Sequence, residues 1–337
     1  MGRSDPPPLR YLTVDDVAAA MPPVDERLRL ARRTMVALAD GSAELPPKIG
    51  VHPRPESSFA HAMPAHLRAA EGTGDRDLVG MKWIAGVPAN RATGLPAIHG
   101  LVVLNDPLTG IPTAILDAGP ITAERTAAIS GVAIEQFGLG PDVVEPRVAI
   151  LGAGVQGRSH LEIVGRVLPG CRVVVFDRHS DRAAELAAAA ARTDGIAGAE
   201  PAASAEAAAA VADVVITAAS FASPEQRQSM TPDWLARAAL VVAVDYATYV
   251  SADVARDAAL FVVDERAQFL ANRDAGQFDG YPDPTLTLGE AILGDLGRPE
   301  TGRVLVTHLG VGLADLVFGA AVLERAAELG LGTLLPR

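Results

Sequence analysis

Arg147-Val148-Ala149-Ile150-Leu151-Gly152-Ala153-Gly154-Val155-Gln156-Gly157 decides the fold. An apolar run short enough for a strand meets a glycine loop, and a segment of helical pattern follows from Val155 to about Val167. A G-x-G-x-x-G string alone is weak; between a strand and a helix it is the phosphate loop of a dinucleotide fold. Gly152 permits the tight turn, Gly154 lets the backbone approach a pyrophosphate, and Gly157 allows close helix–strand packing. The amides of the first helical turn then face the phosphates. The expected loop is therefore Gly152, Ala153, Gly154, Val155, Gln156 and Gly157.

Downstream, Arg172–Phe176 reads as a second strand, with Asp177 at its end. A carboxylate there accepts hydrogen bonds from ribose hydroxyls and repels a 2′-phosphate, which favours NAD over NADP. Arg178 follows at once, so a 2′-phosphate partner stays open beside the plainer reading of a solvated residue flanking adenine. A helix over Arg182–Arg192 comes next, and the apolar runs Val214–Ala218, Leu240–Val244, Leu260–Val263 and Val304–His308 are separated by helical or loop segments. Alternating strands and helices give a doubly wound parallel sheet. The alanine-rich stretches Ala183–Ala191 and Ala202–Ala212 carry charges and sit where such a fold needs helices.

Upstream, the pattern differs. Thr13 caps a helix with Asp15 and Asp16 in its first turn, expected to run to about Asp40 before Gly41. Strands are expected over Lys48–His52, Ser58–Met63 and Leu78–Ile84. Leu101–Asn105 and Thr113–Asp117 flank a turn with Pro107 and Gly110, which makes a hairpin. A helix over Ile121–Phe137 is broken by Gly138, Gly140 and Pro141. The expected class is α/β: a Rossmann domain over 126–312, plus an N-terminal mixed or antiparallel α+β domain over 1–125 that regains 313–337 as a closing helix.

Composition narrows the function classes. A net charge of −12 with no Lys/Arg run, and only 4% aromatic residues, argue against a nucleic-acid surface. No uncharged apolar stretch is long enough to span a bilayer, and the polar, proline-rich start lacks a signal-peptide core, so the cytoplasm is expected. One cysteine, Cys171, and seven histidines without paired-ligand spacing make no zinc site, so no metal is expected.

Further motifs carry a resemblance. Gly80-Met81-Lys82-Trp83, Gly86-Val87-Pro88-Ala89-Asn90, Ile121-Thr122-Ala123-Glu124-Arg125-Thr126-Ala127-Ala128, the glycine loop, and Gly310-Val311-Gly312-Leu313-Ala314-Asp315 occur in this order. Together they resemble the ornithine cyclodeaminase/mu-crystallin family from about Leu9 to Gly332. The resemblance implies a homodimer, a substrate and dimerisation domain joined to a Rossmann domain, and hydride exchange at the carbon–nitrogen centre of an amino or imino acid. It also implies that Lys82, Arg125 and Lys48 bind the substrate carboxylate, Lys48 standing where the family usually has an arginine. A guanidinium grips a carboxylate through two parallel bonds and an ammonium adds a point charge.

Two departures bear on the reaction. Where ornithine cyclodeaminases place a carboxylate, before Met63-Pro64, this chain has His61. Where they place an aspartate after the strand Leu240–Val244, it has Ala247, with Asp245 the nearest acid. A diamino acid would want both carboxylates. The expectation is therefore an NAD(P)-dependent oxidoreductase acting on a C–N or C=N bond. A cyclodeaminase that recycles NAD, and a non-catalytic NAD(P)H-binding protein, are the alternatives. His61 is a proton donor or a hydrogen-bonded sheet histidine; Lys82 or an ordered water is the other proton carrier; Asp245 is catalytic or orients a strand end or the nicotinamide.

Overall fold

The computed structural model describes residues 7–55, 57–70, 76–139 and 143–337. The chain divides into two compact units, Met1–Arg125 with Val311–Arg337, and Thr126–Gly310.

The first unit is built on an eight-stranded mixed sheet. Phe59–Leu67, Leu78–Gly86, Ile98–Asn105 and Pro112–Asp117 run antiparallel in that order, and Leu9–Leu12 joins the last of them in parallel. The expected strands are all present and several are longer. The short strands Leu9–Leu12, Ala43–Glu44 and Thr333–Leu335 were not read from the sequence. The expected single N-terminal helix is two helices, Val14–Ala19 and Val24–Ala39. Pro22-Pro23 explains the break, because a proline lacks the N–H and disfavours helix in the residue before it. Thr13 and Asp16 form a reciprocal capping box at the first start. The helix ending at Phe137 is followed by Gly138 at φ +58°, while Gly140 and Pro141 lie outside the described residues.

The two faces of this sheet differ by strand alternation. Met63, Lys82, Val102 and Leu116 form one cross-strand row and all are buried. The helices Gly312–Glu328 and Val24–Ala39 belong to this unit too, and the first of them packs on the strands bearing this row. The adjacent row, Ile49, Ala62, Trp83 and Leu101, points the other way. Ile49 is 62% exposed and Trp83 41%, so an apolar face stands open to solvent.

The second unit carries an eight-stranded sheet, parallel throughout. Its order is Ile196–Pro201, Cys171–Phe176, Arg147–Leu151, Val214–Thr217, Leu240–Ala243, Val304–Thr307, Leu260–Val263, Leu286–Thr287. Val304–Thr307 comes late in the chain yet lies inside the sheet. Ile196–Pro201, an edge strand, was not expected. The alanine-rich helices Ser180–Ala190 and Ala205–Ala210 form as expected, and Ala205, Ala208, Ala209 and Ala212 are buried in the core of this unit. No helix among the described residues is long and apolar enough to cross a membrane.

Candidate active site

In a parallel sheet, ligands bind beyond the carboxyl ends of strands, where the strand order reverses. That point falls beside Arg147–Leu151, the first strand of this sheet, and the glycine loop follows it. Gly152 has φ +119°, and a Cβ there would stand 2.5 Å from the Ala218 carbonyl oxygen. A Cβ on Gly157 would stand 2.0 Å from the Gly152 carbonyl oxygen, so this glycine sets how closely the helix Val155–Val167 meets the loop. Gly154 is different: a Cβ there would meet nothing within 4 Å. It caps the helix without a side-chain bond, leaving the first-turn amides for an outside acceptor. Open space over Gly154 and unclaimed amides beside it suit a pyrophosphate.

Asp177 ties the loop to the second strand. Its Oδ2 accepts the Ala153 N–H at 2.8 Å and its Oδ1 the His179 N–H at 2.9 Å. Each oxygen keeps a lone pair for a ribose hydroxyl. A cavity of about 400 Å³ opens beside it, lined by Phe176, Asp177, Arg178, Ala202 and others. Arg178 turns its Nε to the His179 ring at 3.3 Å.

A buried chain of hydrogen bonds, missed in the sequence, stands under the loop. His160 Nδ1 lies 2.6 Å from the Gln156 carbonyl, its Nε2 lies 2.8 Å from Ser130 Oγ, and that oxygen lies 2.9 Å from His308 Nε2. A carbonyl can only accept, so His160 carries its proton on Nδ1, and Ser130 donates to Nε2. The serine oxygen then accepts from His308. Burial pushes His160 down to about 4, so it stays neutral.

Asp245 follows the strand Leu240–Ala243 and is 1% exposed. It accepts the Thr217 hydroxyl at 2.7 Å and the Ala219 N–H at 3.2 Å. Burial raises it to about 7 despite these bonds. Each oxygen accepts one bond from a neighbouring strand end, an arrangement that supports the orienting role. Tyr246, next to it, is held at φ +60°.

The first unit gathers the basic residues. Lys82 Nζ lies 2.9 Å from Asp315 Oδ2, and Arg125 Nε lies 3.1 Å from Asp315 Oδ1. Thr122 Oγ1 accepts from Lys82 at 3.3 Å. Lys82 and Arg125 are 1% and 5% exposed and Asp315 is fully buried. Burial lowers Lys82 to about 7, against the pull of Asp315 and with the help of Arg125 and Lys48. Lys48 also acts on His61, so it stands within electrostatic reach of both. Arg125 commits only its Nε edge, leaving its terminal nitrogens without a partner among the described residues.

His61 lies on the same sheet face as Lys82, by strand parity through Met63. Its ring stacks on Phe59 at 4.6 Å and rests over Gly50, where a Cβ would stand 2.2 Å from Cδ2. Burial first, then Lys48 and His52, lowers it to about 4. An imidazole lowered to about 4 is uncharged at neutral pH, which weighs against His61 and towards Lys82 among the candidate proton carriers. Asp315 closes the motif Gly310–Asp315; its partners stand 233 and 190 positions away, and no local signal announces them. No group of three metal-ligating side chains occurs among the described residues.

Residues 12–329 match the model of the ornithine cyclodeaminase/mu-crystallin family. The chain belongs to this family. Among its relatives, the nodulation efficiency protein NfeD of Rhizobium meliloti is 36% identical, over 97% of this chain and 98% of that protein. The Delta(1)-pyrroline-2-carboxylate reductase of Bacillus cereus is 26% identical, over 82% and 84%. An archaeal alanine dehydrogenase dimer, solved with NAD bound, superposes with a TM-score of 0.80 at 25% identity, covering 96% of this chain and 98% of that one. Within the ornithine cyclodeaminase/mu-crystallin family, the chain is thus similar both to a reductase of a cyclic imine and to a dehydrogenase of an amino acid.

Proposed function

We propose that this member of the ornithine cyclodeaminase/mu-crystallin family is an NAD-dependent oxidoreductase of the carbon–nitrogen bond in a small imino or amino acid. One observation carries the reading: a buried arginine and lysine share a single aspartate and keep donors free, in a chain that also holds a dinucleotide loop. Two cations against one anion leave one positive charge, which a substrate carboxylate neutralises. The terminal nitrogens of Arg125 form the fork for it, and Lys48 adds charge.

Bound on the glycine loop, a nicotinamide dinucleotide supplies or accepts the hydride at the substrate's α-carbon. The chain's own residues do the rest. The Gly152 and Gly157 contacts fix the loop, and the first-turn amides of the helix from Val155 hold the pyrophosphate. Asp177 takes the ribose hydroxyls. Lys82 hands its proton to the substrate nitrogen during reduction and takes one back during oxidation. A group that titrates near neutral pH does both well.

The assay follows NADH absorbance with pyrroline and piperideine carboxylates and with keto acid–amine pairs. Turnover is expected with at least one; silence across the panel rejects the reading. A cyclodeaminase would release ammonia from a diamino acid without net NADH change, and mass spectrometry of that incubation separates the two. NADH should bind more tightly than NADPH. Asp177→Ser should weaken NADH by roughly tenfold, the scale of one charge-assisted hydrogen bond, and leave NADPH nearly unchanged. Calorimetry with both nucleotides reads this; a gap as wide as wild type would show that Asp177 points away from the ribose.

The protein is further proposed to be a homodimer, with a second copy covering the open sheet face of Ile49, Trp83 and Leu101. The dimeric state of the archaeal alanine dehydrogenase supports it. Trp83→Glu puts a charge into that face and should give a monomer in sedimentation velocity at concentrations where the wild type is a dimer. A wild type that sediments as a monomer would refute it.

A further inference from the structure

The start of the helix Gly312–Glu328 is pressed onto the sheet. A Cβ on Gly312 would stand 2.5 Å from the Met63 carbonyl oxygen, so only glycine permits this approach. Met63 pairs across strands with Lys82. Residues three apart on a helix share a side, so Asp315 points where Gly312 touches, and meets Lys82. Its other oxygen meets Arg125, from the helix Ala118–Phe137. Three charged side chains from a strand and two helices thus converge with almost no solvent.

We propose that Asp315 is the positioning residue of the substrate site: one oxygen fixes Lys82, the other fixes the Nε edge of Arg125, and the free donors of both are thereby presented together to one substrate. This rests on the oxidoreductase reading of the same site. Asp315 does not touch the substrate; its Oδ1 accepts from Arg125 and its Oδ2 makes an ion pair with Lys82. It acts through them in two ways. It holds the guanidinium edge-on, so that the fork at the far end is the part left for a carboxylate. It also supplies the negative charge that keeps a buried ammonium protonated near neutral pH.

The charges around Lys82 support the second role. Arg125 and Lys48 disfavour its proton, Thr122 contributes only a neutral hydroxyl, and His61 on the same face is neutral at neutral pH. Among the described residues, Asp315 is the anion set against burial and two cations. Burial alone would raise the acid, but Arg125 and Lys82 more than offset it and hold it below the usual carboxylate range. It stays ionised through the range in which Lys82 titrates.

The experiment compares wild type, Asp315→Asn and Asp315→Glu. Imine reduction needs protonated Lys82, so its rate falls as pH rises through the lysine's pKa. In Asp315→Asn that falling limb should move acid by about one pH unit or more, because a buried ammonium has lost its anion. The NADH Kd should stay within about twofold of wild type, since the loop belongs to the other unit. Asp315→Glu keeps the charge but displaces it by a methylene: the limb should return toward wild type while KM stays raised. A merely structural aspartate would change thermal stability and leave the limb in place, and a folded Asp315→Asn protein with a wild-type limb overturns the proposal.

A second measurement needs no turnover. Pyrrole-2-carboxylate, a planar carboxylate that cannot be reduced this way, is titrated calorimetrically in buffers of different ionisation enthalpy. Wild type should take up a proton on binding above neutral pH, because the ligand's charge favours protonated Lys82. Asp315→Glu should bind roughly tenfold more weakly, as befits one misaligned charge-assisted bond. If Asp315→Asn does not fold, this arm decides: equal affinity and equal proton uptake in the Glu variant overturn the proposal. If wild type turns over no imine but binds the carboxylate as described, the reaction fails and the positioning role stands.

Discussion

Arg125→Met raises the KM for an imino-acid substrate roughly tenfold to a hundredfold, because a charge-assisted hydrogen bond to a carboxylate contributes about 1.5–3 kcal/mol. The Kd for NADH is expected to stay within about twofold, since Arg125 lies in the unit without the glycine loop. The methionine keeps most of the aliphatic stem, so the loss is of the fork and not of the volume. It also leaves Asp315 paired with Lys82 alone. A buried pair deprived of one partner is less stable, so the variant should melt earlier, and a melting curve must accompany the kinetics. An Arg125→Met protein that folds and keeps the wild-type KM would take the carboxylate away from this site.

The second large effect separates two glycines of one loop. Gly157→Ala places a methyl 2.0 Å from the Gly152 carbonyl oxygen, so the helix must move off the loop. Overpacking of this kind costs about 1–3 kcal/mol, and both thermal stability and NADH affinity should fall, the affinity roughly tenfold to a hundredfold. Gly154→Ala meets no protein atom within 4 Å. It should melt like wild type and still lose NADH, because the methyl takes the space assigned to the pyrophosphate. Equal NADH affinity in Gly154→Ala and wild type would place the phosphates elsewhere.

The nucleotide half was legible because its signal is local. The strand Arg147–Leu151, the loop and the helix Val155–Val167 stand where the glycine spacing put them, since turn, strand and helix are all coded within a few residues of each other. The edge strand Ile196–Pro201 was not legible: it carries Gly198, Glu200 and Pro201 in six residues and owes its conformation to pairing with Cys171–Phe176. The basic residues of the site could be named from sequence motifs, but their arrangement could not. Asp315 meets Lys82 only because Gly312 lets a helix from the end of the chain lie on a strand from its beginning. His160 and Ser130, on two helices, and His308, just after the strand Val304–Thr307, are likewise joined across long sequence separations. The lowered pKa of His61 was not legible for a related reason, since it is a property of burial and charged neighbours, not of residue type.

The open apolar row of Ile49, Ala62, Trp83 and Leu101 has a thermodynamic consequence. Mass action enters the stability of any protein whose folded form binds another copy of itself. In the proposed homodimer, the free energy that holds the chain together contains a logarithm of its own abundance: dilution acts as a denaturant, and a melting temperature needs a protein concentration beside it. Under that proposal, sequence changes on the face act on the population of chains before they act on any one of them.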